Sequence, residues 1–359
     1  MYISIVYWID MKKLSLRTWI SILTFVLIGV ILFFSRKELI RAWELIGKVD
    51  PWILALLVPV IIAGYLASGE MVFSYLRQKH LIKDVSVWTQ ARISLELNFV
   101  NHILPSGGVS GISYMNWRLA RYGVPIGRAT MAQVLRYVAG FASLIALLAI
   151  AVFVVTIDGH LNRWIILMSS TLVTVMVFVT IGGMYLMGDP QRMHRVAQRI
   201  SRFCNKIVRK VTFGRVEQVI KPSKLVEFLD DMSDDYQSMM RDKRVLLQPF
   251  LWGLFFTITE VAIFWIVFWS LGSPVNPAPI LIAYGLASLA AFAIVTPGGA
   301  GAYEAIMVFV LAVAGMPQGE AIAGIVLTRA IVLAVTIIIG WVFYQRVVMK
   351  YGKRPDANI

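Results

Sequence analysis

Residues 101–111 read Asn101-His-Ile-Leu-Pro105-Ser-Gly-Gly-Val-Ser-Gly111, and residues 296–304 read Thr296-Pro-Gly-Gly-Ala-Gly301-Ala-Tyr-Glu304. Each is a proline–glycine break between two apolar stretches. Neither half comfortably crosses the roughly 30 Å hydrocarbon core of a bilayer. Backbone is interrupted at that depth only where protein or a water-lined cavity satisfies its polar groups, so each break predicts a re-entrant helical hairpin. The two regions also match beyond the breaks. Pro105 leads to Gly123-Val-Pro-Ile-Gly-Arg-Ala129 and Pro297 to Gly315-Met-Pro-Gln-Gly-Glu-Ala321, with 18 residues from proline to the first glycine in both. An arginine then falls inside the next apolar span, at Arg136 and at Arg329. Pro105 and Pro297 lie 192 positions apart, and the same offset carries the apolar span at 52–76 onto 244–268, where another span lies. Each of these two spans holds one embedded carboxylate, Glu70 and Glu260. The matches predict an internal duplication.

The rest of the chain is consistent with a bilayer as solvent. Of its 359 residues 58% are hydrophobic and only 15% charged, with a mean hydropathy of +0.74. A soluble fold cannot bury that much apolar surface, which excludes most soluble enzymes. Lys and Arg number 34 against 20 Asp and Glu, a net charge of +14. Most of the excess flanks apolar spans, as cytoplasmic loops do. It suits anionic lipid headgroups better than nucleic acid.

Reading outward, Lys12, Lys13 and Arg17 precede a first span at 18–34, with Met11 a candidate true start. Residues 35–50 alternate charge and apolar positions like a helix lying on the outer surface. Spans follow at 52–76, 129–157, 164–188, 246–271 and 321–345, with the hairpins at 93–126 and 280–315. Residues 189–245 are rich in both charge signs and predict a cytoplasmic helical connector, with an amphipathic helix on anionic lipid as the alternative. The positive-inside rule places both termini in the cytoplasm, the first hairpin starting and ending inside and the second starting and ending outside. The fold expected is an all-α polytopic membrane protein of the cytoplasmic membrane, with about six full spans and two Gly/Pro-broken re-entrant hairpins in inverted-topology repeats. The whole chain, 1–359, is one integral membrane domain. Repeat 1 covers about 52–157, the connector about 189–245 and repeat 2 about 246–345.

Inverted repeats are typical of secondary transporters and place a substrate site near the midplane, where discontinuous helices meet. The glycine tips, Gly107-Gly108 and Gly298-Gly299, would face each other there, either letting backbone N–H groups approach an anion or simply allowing a tight turn. Arg136 and Arg329 are costly at bilayer depth. They act as a phosphate clamp or snorkel to the interface. Glu304 caps the helix after the second break, pairs with Arg329 or carries a proton. Glu260 lies deeper than Glu70 and is the stronger proton-coupling candidate; Glu70 lies near the inner end of its span and reaches water. Asn101 and His102 satisfy the broken backbone of the first hairpin, or His102 relays protons. Trp19, Trp52, Trp164 and Trp341 read as interface anchors. The lone Cys204 and four scattered histidines form no metal motif, so no metal or cofactor is expected. No nucleophile–base pair is visible, and the chain is not expected to be an enzyme.

These features resemble the integral-membrane domain of the lysylphosphatidylglycerol synthase/flippase proteins and its stand-alone relatives. The residues that carry the resemblance are Asn101 through Gly108, Thr296 through Glu304, and Ala321 through Arg329, and it covers about 15–350. It implies movement of a phospholipid between leaflets, with Glu304, Arg329 and the two glycine tips in the translocation site. There are two departures. The chain ends 14 residues after Gln345, so aminoacyl-lipid synthesis is not expected. Relatives often carry an arginine soon after the first glycine break, whereas here the stretch runs Gly111-Ile-Ser-Tyr-Met-Asn-Trp-Arg118, which bears on headgroup choice.

The expected function is a flippase-like lipid translocase for an anionic phospholipid or lipid-phosphate. One alternative is a secondary transporter of a small anionic solute. The other is a non-transporting membrane partner of a separate lipid-modifying enzyme. A homo-oligomer is compatible with each.

Overall fold

A computed structural model describes Phe33, Arg36, Ile40, 43–45, 47–82, 85–103, 109–157, 163–189, Gln191, Arg192, Arg195, Arg199, Gln237, Met239, 241–273, 275–293 and 301–351. The expected first span, most of the connector and both glycine tips lie outside the described residues. Every regular element described is helical.

A short helix, α1 (Pro51–Ala55), starts at Asp50, whose carboxylate accepts the Trp52 and Ile53 N–H groups, as an N-cap does. Helix α2 (Leu57–Gln78) follows directly, then α3 (Val87–Ile103), α4 (Val109–Ala120) and α5 (Ile126–Ile157). A separate helix, α6 (Arg163–Met187), is followed by the second set: α7 (Leu247–Ser270), α8 (Pro277–Ala293), α9 (Ala302–Val313) and α10 (Gln318–Val335). The last helix continues through a π-helical turn, Thr336–Gly340, into α11 (Trp341–Tyr351). Four of these stretches are long and apolar enough to cross a membrane among the described residues: Pro51–Gln78, Ile126–Ala151, Lys243–Ser270 and Gln318–Lys350.

The two sets match element by element. α3 and α8 both have 17 residues, and α4 and α9 both have 12. At 1.5 Å per residue the described parts of these helices are about 25 and 18 Å long. Gly123 and Gly315, the first glycines of the matched Gly-x-Pro turns, both adopt positive φ, 77° and 95°. That conformation reverses the chain after α4 and after α9 without the Cβ clash another residue would bring.

The first helices of the two sets form the central contact. Asp50 N–H donates to the Ser270 carbonyl at 2.9 Å. Gly64 abuts Thr259, and Gly253 abuts Met71. Rising positions on α2 meet falling positions on α7, so the two run antiparallel. Each set also lends its second helix to the other. Gly285 of α8 packs on Leu144 of α5, and Gly340 of the π turn packs on Phe99 and the Leu95 carbonyl of α3. Large apolar side chains such as Phe153, Phe178, Phe255, Ile258, Phe309 and Ile338 point outward and are exposed. Such a surface suits lipid rather than water.

Trp52 and Trp164 are exposed at helix starts, as interface anchors are. Trp341 differs. It packs against a cluster of Phe99, Val100, Ile103 and Tyr114, because the final helix runs on to Tyr351 rather than ending beside it.

Candidate functional site

Arg329 organises a polar centre where the two sets meet. Its Nε donates to Glu304 Oε1 at 2.7 Å, and its guanidinium lies 4.7 Å above the Tyr303 ring. Glu304 is held in turn by its own helix start: Oε2 accepts the Gly301 N–H at 2.6 Å. Gly301 can begin α9 that way because it sits at φ 90°, open only to glycine at low cost. One carboxylate therefore caps α9 and neutralises an arginine on α10, so two of the roles open in the sequence coexist. The pair is only partly covered, with side-chain exposures of 23% for Arg329 and 22% for Glu304.

Three more groups face this centre. Glu260 of α7 lies within electrostatic range of Arg329, and next to it in the chain Thr259 packs on Gly64, where a Cβ would crowd the Thr259 hydroxyl. His102 of α3 is also an electrostatic neighbour of Arg329. Its Nδ1 is 2.8 Å from the Asn98 carbonyl, and its ring is 6.2 Å from that of Tyr65. The Tyr65 hydroxyl is bonded to Thr336, the first residue of the π turn. Turns of this kind are common at functional sites because they re-aim a side chain within a helix. The structure thus brings together Arg329, Glu304, Glu260 and His102. Tyr65 and Tyr303 join them without being candidates from sequence. Tyr303 stands inside the second break motif, and Tyr65 follows Gly64 in an embedded span, and those positions are the only signal the sequence carries for them.

Other candidates lie apart. Arg136 is buried on α5, with Nη1 donating to Ser68 Oγ at 3.1 Å and its guanidinium 4.8 Å from the Tyr137 ring. Ser68 is the position 192 residues before Glu260. By the same offset Arg136 falls on Thr328, one residue before Arg329, so the two arginines hold neighbouring rather than identical positions in the two sets. Glu70 pairs with Arg77 at the end of α2, with Gln90 on the same guanidinium. Asn101 packs against Gly111, where any Cβ would overlap its Oδ1. Gly107, Gly108, Gly298 and Gly299 lie outside the described residues.

A second buried ionic cluster lies outside the candidates read from sequence. Glu96 Oε2 accepts from Arg118 Nε at 2.9 Å and from the Tyr114 hydroxyl at 2.7 Å. The Arg118 and Glu96 side chains are 5% and 2% exposed. Arg118, the arginine displaced from the first glycine break, ties α4 to α3 inside the protein. The alternation of Glu96 and Arg118 with apolar neighbours gives no sign that they meet, since they are joined only by the fold of the hairpin.

This arrangement is that of a polytopic membrane domain whose ionisable groups are gathered between two sets of helices. The chain belongs to the lysylphosphatidylglycerol synthase TM region family, whose profile matches residues 18–340. Two membrane proteins of Methanothermobacter thermautotrophicus, both described as UPF0104 membrane protein, are similar to it. One is 26% identical over 239 residues, covering 65% of this chain and 67% of the relative. The other is 23% identical over 218 residues, covering 59% of each, so the chain spans less than two thirds of that relative.

Proposed function

We propose that the chain is a lipid translocase of the cytoplasmic membrane, moving an anionic phospholipid or lipid-phosphate between leaflets without covalent chemistry. The carrying observation is the partly open Arg329–Glu304 pair at the junction of the two helix sets. Guanidinium is matched to phosphate oxygens. Glu304 holds that guanidinium when no phosphate is there and yields it when one arrives. Glu260 stands next to the exchange and couples it to a proton, while Arg136 offers a second positive station in the other set. The tails stay in lipid as the headgroup passes between the sets.

The antiparallel packing of α2 on α7 and the matched short helices support inverted repeats, which place a site near the midplane and permit alternating access. Family membership supports a membrane-embedded substrate. Both termini lie in the cytoplasm on this reading.

The test is translocation in proteoliposomes. Purified protein is assayed with labelled phosphatidylglycerol, phosphatidylethanolamine and a polyprenyl phosphate, with and without a pH gradient. One lipid class moves, and Arg329→Ala lowers its rate at least about 100-fold, the scale of a lost charge-assisted bidentate contact, while the protein remains folded. Uptake of a small anion without lipid movement, or unchanged transport by Arg329→Ala, would sink this reading.

A further inference from the structure

Helix α5 is apolar for most of its length, yet one line of it is polar and buried. Thr130, Gln133 and Arg136 recur at intervals of three, and residues so spaced share a helix face. Thr130 is 8%, Gln133 0% and Arg136 9% exposed. At one end Asn116 of α4 donates its Nδ2 to Thr130 Oγ1 at 2.7 Å. At the other, Arg136 reaches Ser68 of α2. Between these bonds the line is unsatisfied. Asn116 Oδ1, both amide atoms of Gln133 and Arg136 Nε are buried without a hydrogen-bond partner. Among the described residues no carboxylate lies within ion-pair distance of Arg136, whereas its counterpart Arg329 has Glu304.

Buried polar atoms in native proteins are almost always partnered, and a buried charge without a counterion is the costliest case. One orphan can be a local accident. Three on one face of α5 and a fourth on the neighbouring α4, ending on an uncompensated guanidinium, describe a site whose ligand supplies the missing partners. The geometry points to a phosphoryl-binding site on α5: the anion sits on Arg136 Nε with Ser68 beside it. A hydroxyl or ammonium group attached to that phosphoryl fills the open acceptors of Gln133 and Asn116. The chemistry is a phosphate bearing a hydrogen-bond donor, whether a lipid headgroup or a soluble phosphate ester. This deepens the proposed translocase by adding a loading station in the first helix set, and rests on it only for lipid as the source.

The test is ligand binding by the full-length protein in phosphatidylcholine nanodiscs, read by thermal shift and calorimetry. The probes are inorganic phosphate, glycerol 3-phosphate and dihexanoylphosphatidylglycerol, with glycerol as the uncharged control. At least one phosphate probe stabilises the wild type. Arg136→Gln weakens it about 10-fold or more, the usual cost of a lost charge-assisted bond. Gln133→Leu weakens it about 5-fold while raising the melting temperature of the unliganded protein, because two orphaned atoms are removed. Arg192→Gln, which deletes a surface guanidinium paired with Asp189, changes affinity less than about twofold. Binding confined to the lipid probe identifies a headgroup as the source, and equal binding of glycerol 3-phosphate identifies a soluble ester. The inference is overturned if no phosphate probe binds the folded wild type, or if Gln133→Leu, stable and folded, binds as the wild type does. Transport is not read here, so a protein that binds phosphate yet moves no lipid loses the translocase reading and keeps this site.

Discussion

At the residue scale, the chain places arginines within its helices and gives each a different companion. Arg118 has Glu96 and Tyr114, Arg329 has Glu304 and the face of Tyr303, and Arg136 has a serine hydroxyl. The more deeply paired guanidinium is the more structural. Arg118 and Glu96 are almost fully covered, so they are in no position to exchange partners with a ligand. Removing one member strands the other. Glu96→Ala is expected to destabilise the protein by about 3–5 kcal/mol, whereas Glu96→Leu with Arg118→Met recovers most of that loss, since a buried ion pair competes poorly with well-packed apolar groups. Denaturant unfolding in mixed micelles measures both. A single variant as stable as the wild type would mean that water reaches the pair. The role of Arg118 is not legible in the sequence, because a basic residue after an apolar stretch looks the same whether it faces cytoplasm or a carboxylate on the preceding helix.

At the element scale, glycines set the distance between helices at the crossings. A Cβ on Gly340 would lie 2.5 Å from the Phe99 Cβ and 3.3 Å from the Leu95 carbonyl oxygen. Neither atom can swing away, as one belongs to the root of a buried ring and the other to backbone. Gly340→Ala is therefore expected to cost about 1–3 kcal/mol by overpacking α3 against the π turn. Gly319, in the first turn of α10, is open: a Cβ there would have nothing within 4 Å. Gly319→Ala should be neutral or stabilise by up to about 1 kcal/mol through lower chain entropy. Melting temperatures of the two variants in one detergent separate a packing glycine from a permissive one. Equal melting temperatures would show that α3 shifts freely along the final helix.

At the scale of the whole molecule, α2 and α7 are equivalent helices that run antiparallel, and each set completes its packing with a helix of the other. If both cross the bilayer, equivalent loops open on opposite sides. Arg128 and Glu320 occupy equivalent, exposed positions after the two Gly-x-Pro turns, and the basic residue falls at the turn expected on the cytoplasmic side. With Cys204→Ser as background, Arg128→Cys is expected to react with a membrane-impermeant maleimide only in inside-out vesicles, and Glu320→Cys only in right-side-out ones. Labelling of both from one side would remove the inverted arrangement and, with it, the symmetry that relates Arg136 to Arg329.

Much of this architecture can be read from one sequence because the bilayer restricts what apolar stretches can do. Long ones become helices, and the four longest described ones fall on apolar spans that the sequence marks. The matched spacing to Gly123 and Gly315 is legible for the same reason: both adopt positive φ, and turns of one geometry demand the same residues. What those helices bring together is decided only by packing. Sequence separation says nothing about whether Arg118 meets Glu96, whether Arg329 meets Glu304, or whether Arg136 meets Ser68 rather than an acid. Each of those encounters depends on helix rotation and crossing distance. Those are fixed by contacts such as Gly64 on Thr259 and Gly340 on Phe99, between residues far apart in the chain.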